Sequence, residues 1–377
     1  MNSFDRVMAA LRHQEADRVP LDVGGMTISS IASPLLKQLL EHFGLEVDFP
    51  SPDSIQRIGT PPLALRTLLG IDTVRVGPPR VPEPEGLRAW EQPSAPIRLT
   101  DQWGILWEMR PGDHYFHQLT YPLGDGELSE ALGHFVRLVP GTKMIASIVR
   151  DGLKGRGEAF PVVDRDCAGL FEMSQRLRGM QEFLMDLLLD RESSEALAEA
   201  LFDYKIAYWD SVLDGVGEEP CVVAEADDYG AENALLISPS LVRDIYLTRL
   251  KALITHIKKR APQVKVCFHS CGAIRPIIPD LIDAGVDALN PVQYIAAGME
   301  LEGLKKDFGK DLVFWGGCID TTRILPYGTP GEVRDEVRRV LDIMAPGGGF
   351  VATTVHNLQA DVPLANALAY FEALSGY

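Results

Sequence analysis

Apolar residues in the first part of the chain follow helical and extended spacings in turn. Phe4, Val7 and Leu11 recur every three or four residues, which predicts an amphipathic helix over residues 3–13. Residues 50–96 are rich in proline and glycine, and this composition predicts largely irregular structure. The same criteria predict further N-terminal elements, namely strands at residues 19–23 and 72–76, a helix at 33–43, and a hairpin of 103–109 with 115–120.

From about residue 144 the pattern changes to a regular alternation of short apolar runs and longer helical segments. The predicted strands are residues 144–149, 221–225, 264–269, 288–292, 312–315 and 350–355. The predicted helices are residues 171–189, 194–213, 239–260, 274–284, 301–308 and 330–344. Strands that alternate with helices of this length predict βαβ units and a parallel sheet. The length of 377 residues suits a (β/α)8 barrel that forms one domain.

Polar side chains gather just after the predicted strands. The carboxyl ends of all strands of a (β/α)8 barrel open onto one face, so these side chains are expected to meet there. The strand-end residues are Asp227, Asp228, His269, Cys271, Asn290, Gln293, Cys318, Asp320, His356, Asn357 and Gln359. Their repeated placement predicts an active site at this face.

Composition and charge narrow the class of protein. A formal net charge of -17 argues against nucleic acid or an anionic membrane as a partner, because both are polyanions. No apolar stretch reaches the roughly 18 residues of a membrane span, and the first residues carry no secretion signal. The five cysteines lack the spacing of a disulfide framework, so reduced thiols and a cytoplasmic location are expected.

His269 and Cys271 form the strongest candidate for a metal site. Side chains two positions apart on an extended chain point to the same side, so imidazole and thiolate could bind one ion. A further ligand could come from Cys318 or His356, with Asp227 as a carboxylate candidate. Zinc suits this mixture of sulfur, nitrogen and oxygen donors. Alternatives stay open, since Asp227 and Asp228 could cap a helix, Cys318 could only pack, and His356 could bind substrate.

The chain resembles the superfamily of uroporphyrinogen decarboxylases and cobalamin-dependent methyltransferases. The resemblance rests on segments throughout the chain, namely residues 6–13, 17–20, 269–272, 281–287, 290–293, 314–317, 320–321 and 347–359. It implies a (β/α)8 TIM barrel with a mixed α/β extension at the N-terminus. In that arrangement residues 1–140 would pack on a barrel core of residues 141–377, and the two parts would form one structural domain.

The superfamily contains two main chemistries, and the sequence favours the second. True uroporphyrinogen decarboxylases use an N-terminal arginine motif to bind the many carboxylates of a porphyrinogen. Here residues 21–26 read Leu-Asp-Val-Gly-Gly-Met and contain no arginine. Without that cluster the carboxylates of a polyanionic substrate would have no cationic partners. Removing such charges from water in the open end of a barrel costs free energy. We therefore expect a methyltransferase and not a true decarboxylase.

The methyltransferase branch passes a methyl group to or from a corrinoid on a partner protein. In its zinc-dependent members a His-x-Cys pair and a later cysteine hold the ion, and His269 and Cys271 match the pair. The later position carries His356, a departure from the pattern, and Cys318 is the alternative third ligand. The resemblance implies Asp227 or Asp228 as proton donor, with the substrate contacted by Asn290, Gln293, Asp320, Asn357 and Gln359.

The partners and cofactors that follow from the resemblance are a corrinoid protein, zinc and a small methyl donor or acceptor. Zinc could lower the pKa of an acceptor thiol, or polarise the oxygen of a methyl ether during O-demethylation. Some relatives transfer the methyl group to tetrahydrofolate without zinc, and this alternative stays open. A decarboxylase or lyase acting on a small acid is a further alternative. A monomer and a homodimer are both compatible with the sequence.

Overall fold

A ring of parallel strands forms the centre of the molecule. The computed structural model describes residues 1–84, 87–135 and 138–377. The strands in chain order are β1 (Ile31–Ala32), β2 (Ile58–Gly59), β3 (Thr73–Val76), β4 (Ile97–Thr100), β5 (Leu106–Met109), β6 (His117–Gln118), β7 (Phe160–Asp164), β8 (Val222–Ala226), β9 (Lys265–His269), β10 (Ala288–Asn290), β11 (Val313–Trp315) and β12 (Phe350–Val351). Seven of them form one sheet in the order β12-β11-β10-β9-β8-β7-β3, and every neighbouring pair is parallel.

Residues 20–22 close this sheet into a barrel. On one side Ala352 donates its backbone N–H to the carbonyl of Pro20, and Asp22 donates to the carbonyl of Ala352, both at 2.8 Å. On the other side Asp72, directly before β3, donates to the carbonyl of Leu21 at 2.8 Å. The short segment thus fills the eighth position between β12 and β3. The predicted (β/α)8 barrel is confirmed.

Helices surround the ring and cover one end of it. They are α1 (Ser3–Leu11), α2 (Ser33–His42), α3 (Leu63–Leu69), α4 (Leu128–His134), α5 (Thr142–Gly155), α6 (Leu170–Arg178), α7 (Met180–Leu189), α8 (Arg191–Val216), α9 (Pro239–Leu241), α10 (Thr248–Arg260), α11 (Ile278–Asp283), α12 (Leu301–Phe308), α13 (Ile324–Tyr327), α14 (Pro330–Met344) and α15 (Leu364–Ser375). Val7 and Leu11 of α1 pack with apolar residues from the interior of the barrel, such as Phe160 and Val313. No helix of the described residues is long and apolar enough to cross a membrane.

The first predicted strand of the barrel series is wrong. Residues 144–149 lie inside α5, where Ile145, Val149 and Leu153 are buried at a spacing of four residues. This spacing places the three side chains on one helical face, so the apolar run belongs to a helix that packs on α8. The strand that takes this place is β7, which the sequence analysis did not predict. Pro161 lies within it, and proline is unusual inside a sheet.

The other predicted helices and strands occur with shifted bounds, but the strand predicted over residues 350–355 is only Phe350–Val351, and the stretch 50–96 predicted as irregular contains the helix α3. The expected helix over residues 171–189 is divided into α6 and α7 at Gly179, whose φ of 98° favours glycine. The expected helix over 239–260 is α9 and α10, joined by a π-helical turn over Val242–Leu247. Residues 274–284 begin with a 3-10 turn before α11.

The N-terminal part contributes both a separate sheet and two positions of the barrel. The predicted hairpin is confirmed, because β5 and β6 pair antiparallel, with Trp107 opposite Gln118. Strand β4 adds to the other edge of β5. Residues 20–22 and β3, which both belong to the segment expected as an extension, are neighbours within the ring itself. The barrel is therefore built from both parts of the chain.

Candidate functional site

Three side chains at the carboxyl ends of the strands are arranged as metal ligands. His269 ends β9, Cys271 follows two residues later, and His356 follows β12. One ligand atom from each residue lies within 4.8 Å of the other two, and no other group of this kind occurs among the described residues. Ligand atoms of a tetrahedral zinc site are about 3.3–3.8 Å apart. The separation of His269 Nε2 from Cys271 Sγ is 3.4 Å, which already has this value.

A hydrogen bond to Nδ1, the ring nitrogen that faces away from Cys271, fixes the orientation of His269. Asn290, at the end of the neighbouring strand β10, donates Nδ2–H to the carbonyl of Trp315 at 2.7 Å. Because a carbonyl only accepts, the other end of the amide, Oδ1, faces His269 Nδ1 at 2.5 Å. That contact requires the proton on Nδ1 and leaves the lone pair of Nε2 free toward Cys271. The neutral ring is thus held in the tautomer that binds a metal through Nε2.

His356 approaches the same point from the last strand. Its ring is perpendicular to that of His269, with the centroids 5.8 Å apart. The backbone N–H of Asn357 donates to His356 Nδ1 at 2.8 Å and holds the ring in place. Removal from water, together with the nearby His269, lowers the pKa of His356 to about 3. Desolvation also lowers the pKa of His269, so both imidazoles are neutral. Because Nδ1 of His356 accepts the N–H of Asn357, the ring proton of His356 lies on Nε2, and binding a metal through Nε2 requires this ring to change tautomer.

The two adjacent aspartates after β8 have different environments. Asp227 is buried and accepts hydrogen bonds from the backbone N–H groups of Phe171 and Glu172, both at 2.9 Å, and from the hydroxyl of Tyr229 at 3.0 Å. It therefore caps the first turn of α6, although burial raises its pKa to about 7. Asp228 is 38% exposed, and its Oδ1 lies 3.7 Å from His269 Nε2. Asp228 is therefore the carboxylate that lies beside the three candidate metal ligands.

Two residues that were predicted to contact substrate, Gln293 and Asn357, hold the loops of the site through hydrogen bonds. Gln293 Oε1 accepts the backbone N–H of Gly272 at 2.8 Å, which fixes the loop that carries Cys271. Asn357 Oδ1 accepts the backbone N–H of Ser30 at 2.7 Å, and its Nδ2 donates to Gln56 at 3.1 Å. Asn357 thereby joins the last strand to the N-terminal segments.

Other predicted residues lie apart from the three ligands. Cys318 is fully buried within the main hydrophobic core and does not belong to the metal-type group. Asp320 is buried and accepts hydrogen bonds from the backbone N–H and the hydroxyl of Thr322, so it stabilises its own turn. Gln359 is half-buried, three residues after His356. The structure brings together His269, Cys271 and His356 with Asp228, Asn290 and Gln293 around them.

The sequence analysis did not predict two buried arginines. They lie across from the three candidate ligands at the barrel mouth, which is the end of the barrel where the strands reach their carboxyl ends. Arg75 belongs to β3 and Arg165 follows β7, with side chains 8% and 5% exposed. Both face the fully buried Asp164, at 3.7 Å and 3.4 Å respectively. The available signal was an arginine within or directly after an apolar run, as in Val74-Arg75-Val76. Such a position buries a charge that needs a partner.

A cavity of about 220 Å³ is lined by Asp166 and Cys167, which directly follow Arg165 in the chain, but not by Arg75 or Arg165 themselves. The antiparallel sheet and its loops supply aromatic walls, including Trp103, Trp107 and Phe116. Arg80 and Arg176 line it on the barrel side. Asp53, Asp101 and Asp166 also line it, so the cavity combines an apolar wall with charged groups of both signs, a composition suited to small organic ligands.

Comparisons with known proteins agree with this architecture. The structure is similar to that of a methyltransferase from Methanosarcina mazei over 100% of this chain and 99% of the other, with a TM-score of 0.67 and 19% sequence identity. This similarity shows a shared fold. No curated protein matches the chain by sequence. The family model for uroporphyrinogen decarboxylase (URO-D) matches residues 170–377, which is more than half of the chain. The chain therefore belongs to the uroporphyrinogen decarboxylase family.

Proposed function

We propose that this protein is a zinc-assisted methyltransferase of its family. In this proposal it moves a methyl group between a small methylated substrate or thiol acceptor and a corrinoid carried by a partner protein. The observation that carries the proposal is the convergence of His269, Cys271 and His356, with their ligand atoms within 4.8 Å of one another. The fold shared with the methyltransferase from Methanosarcina mazei supports the same class of activity.

The donor set fits zinc. One sulfur and two neutral imidazole nitrogens are ligands that zinc accepts, and three protein ligands leave a fourth position for a substrate. The contact between His269 and Asn290 gives the protonation state that ligation requires. When bound, zinc would activate a thiol by lowering its pKa, or polarise the oxygen of a methyl ether.

The surrounding residues have separate roles in the proposal. Asn290 orients His269, and Gln293 holds the loop of Cys271 through the N–H of Gly272. Asp228 is accessible and lies 3.7 Å from His269 Nε2, so it can hold or deliver a proton beside the substrate. Asp227 keeps α6 in position because both its oxygens accept backbone N–H groups.

The charges at the barrel mouth favour a methyltransferase over the decarboxylase of the family name. The segment that enters the barrel after Pro20 carries Asp22, which is fully buried and accepts hydrogen bonds from Ser29 and Trp315. Arg80 is paired with Asp53 at 3.1 Å and is not free for a ligand. A porphyrinogen carries many carboxylates and needs many free cationic groups. The mouth suits a smaller substrate.

The metal content of the purified protein tests the zinc site. We expect about one zinc per chain in wild type, and its loss in Cys271→Ala and in His356→Ala. Cys318→Ala is the matched control, because Cys318 is buried and outside the group of ligands. Loss of zinc in Cys318→Ala with retention in His356→Ala would move the third ligand to Cys318.

Spectroscopy of the corrinoid tests the transfer itself. Zinc-loaded protein with methylcobalamin and a small thiol should change the absorbance of the corrinoid as the methyl group leaves cobalt. The Cys271→Ala variant should show no such change. A wild-type protein that binds no metal after zinc reconstitution would contradict the mechanism and favour transfer to tetrahydrofolate without zinc.

A further inference from the structure

Arg165 has far fewer hydrogen bonds than its guanidinium can make. The group carries five N–H donors and is 5% exposed. Among the described residues its side chain makes one hydrogen bond, to Asp164 Oδ1 at the long distance of 3.4 Å, and its Nε has no partner. A buried cation with unused donors is costly unless something else pairs with it.

The carboxylate that Arg165 contacts is shared. Arg75 faces the same Asp164 at 3.7 Å, and the backbone N–H of Thr27 occupies Asp164 Oδ2 at 2.7 Å. Arg75 has other acceptors, because its guanidinium donates to the carbonyls of Gly77 and Pro78. Two buried guanidinium groups therefore depend on one carboxylate, and Arg165 is the one with the weaker set of partners.

Nearby carboxylates do not remove this excess of positive charge. Arg80 forms an ion pair with Asp53, and Arg176 forms one with Glu172. At Asp164 itself two buried guanidinium groups thus face one carboxylate, and the next carboxyl along the chain, Asp166, accepts the hydroxyl of Tyr204 and forms no ion pair with either arginine. Asp166 and Cys167, which directly follow Arg165 in the chain, line the cavity described above, whereas Arg165 itself does not.

We propose that Arg165 is the anchor of an anion subsite, and that the small molecule handled at this barrel mouth carries a carboxylate, sulfonate or phosphate group. The planar fork of a guanidinium binds such oxyanions through paired hydrogen bonds. One additional negative charge would balance the pair of arginines on Asp164. That the ligand is the methyl donor or acceptor rests on the proposed function, whereas the subsite itself does not need the metal.

Thermal unfolding with simple anions tests the subsite. The probes are sodium acetate, methanesulfonate and phosphate, each compared with chloride at matched ionic strength and with both metal-free and zinc-loaded protein. We expect at least one of the three to raise the unfolding midpoint of wild type by about 2 °C, in both metal states. The probe with the largest shift identifies which oxyanion the subsite prefers.

Variants separate this role from a structural one. Arg165→Met should lose the anion effect and unfold in chloride at or above the wild-type temperature, because Asp164 then pairs with Arg75 alone. Arg165→Lys keeps the charge without the planar fork and should retain a reduced shift. The control Arg243→Gln, on the exposed surface, should respond as wild type does.

Three results would overturn the subsite. They are no shift of wild type with any probe, a full shift in Arg165→Met, and a marked loss of stability of Arg165→Met in chloride. A shift that occurs only with zinc would place the anion on the metal and also contradict a role for Arg165. A shift in metal-free protein that binds no zinc would support the subsite while the zinc mechanism fails.

Discussion

The two sides of the barrel mouth differ in how completely the fold pairs their polar groups. The histidine side consists of His269, Cys271, His356 and Asn290, where Nδ1 of each ring and both ends of the Asn290 amide have partners within the protein. The arginine side consists of Arg75, Asp164 and Arg165, where Nε of each arginine is buried without a hydrogen-bond partner. The ring of His269 is thus preorganised before any ligand binds, whereas the arginine side is incomplete without one.

The difference indicates that the two sides of this face of the barrel bind different kinds of ligand, a metal on one side and an anion on the other. A metal site needs its ligands held in a fixed geometry, and hydrogen bonds behind the ligands provide it. A binding site for an anion needs free donors, which the fold must leave unpaired at a cost in stability. Both sides lie at the carboxyl ends of strands, β9, β10 and β12 on one side and β3 and β7 on the other. The following substitutions test the comparison.

Removing the charge of Asp164 should have the largest effect. Asp164→Asn leaves Arg75 and Arg165 buried without a carboxylate, and we expect the free energy of unfolding to fall by about 3–5 kcal/mol. Denaturant titration measures this change. The control is Asp101→Asn, since Asp101 accepts N–H groups of Trp103 and Trp107 without an arginine, and it should lose less.

The effect of Asp164 should also depend on pH. Burial opposes its ionisation, but Arg165, Arg75 and Arg80 together hold its pKa below the ordinary value. A carboxylate with a lowered pKa in the folded state stabilises the protein above its unfolded pKa, about 4. The difference between wild type and Asp164→Asn should therefore be full at neutral pH and shrink as the pH falls below about 4. A loss of less than about 1 kcal/mol at neutral pH would mean that the arginine side is already balanced.

Asn290→Ala tests the preorganisation of the histidine side. The substitution frees the ring of His269 and leaves the buried carbonyl of Trp315 without its donor. We expect the free energy of unfolding to fall by about 2 kcal/mol and zinc affinity to fall about 10–100-fold. Competition with a chromogenic chelator measures the affinity. Asn366→Ala is the control, because Asn366 also donates to buried carbonyls but far from the ligands. An unchanged zinc affinity in Asn290→Ala would show that His269 is oriented by other contacts.

Gln293→Ala should have the smallest effect of the three. It removes the acceptor of the Gly272 N–H, so the loop of Cys271 loses one hydrogen bond worth about 1 kcal/mol. Gln293→Glu keeps a side-chain oxygen at this position and should restore most of the stability and of the zinc affinity. Equal losses in both variants would assign the effect to the shape or charge of the side chain instead of the hydrogen bond.

The sequence predicted the barrel well where the period of the apolar pattern was distinct. Strands β8 to β11 lie within about two residues of their predicted positions, because each is a short apolar run between helices with regular spacing. The prediction failed at residues 144–149 and at β7, where local patterns were ambiguous. Pairing with β3 and β8 keeps Phe160–Asp164 extended despite its proline, and no local signal reports such pairing.

The sequence predicted which residues form the candidate site, but not what each of them does there. His269, Cys271 and His356 were recognised because they follow strands, and a barrel brings strand ends together. Asp227 and Cys318 belonged to the same pattern. Asp227 caps α6, a contact between residues more than fifty positions apart, and Cys318 faces the hydrophobic core. Spacing along the chain does not determine which way such a side chain faces.

The sequence by itself determined the alternation of strands and helices, the set of polar residues at the strand ends, and the membership of the family. Only the tertiary structure decided that residues 20–22 close the ring, that Asn290 holds His269, and that Arg75 and Arg165 share Asp164. The physical reason is the range of the interactions. Periodicity and turn signals act over a few residues, whereas the pairing of buried charges joins strands that are far apart in sequence, and it depends on geometry that forms only when the barrel closes.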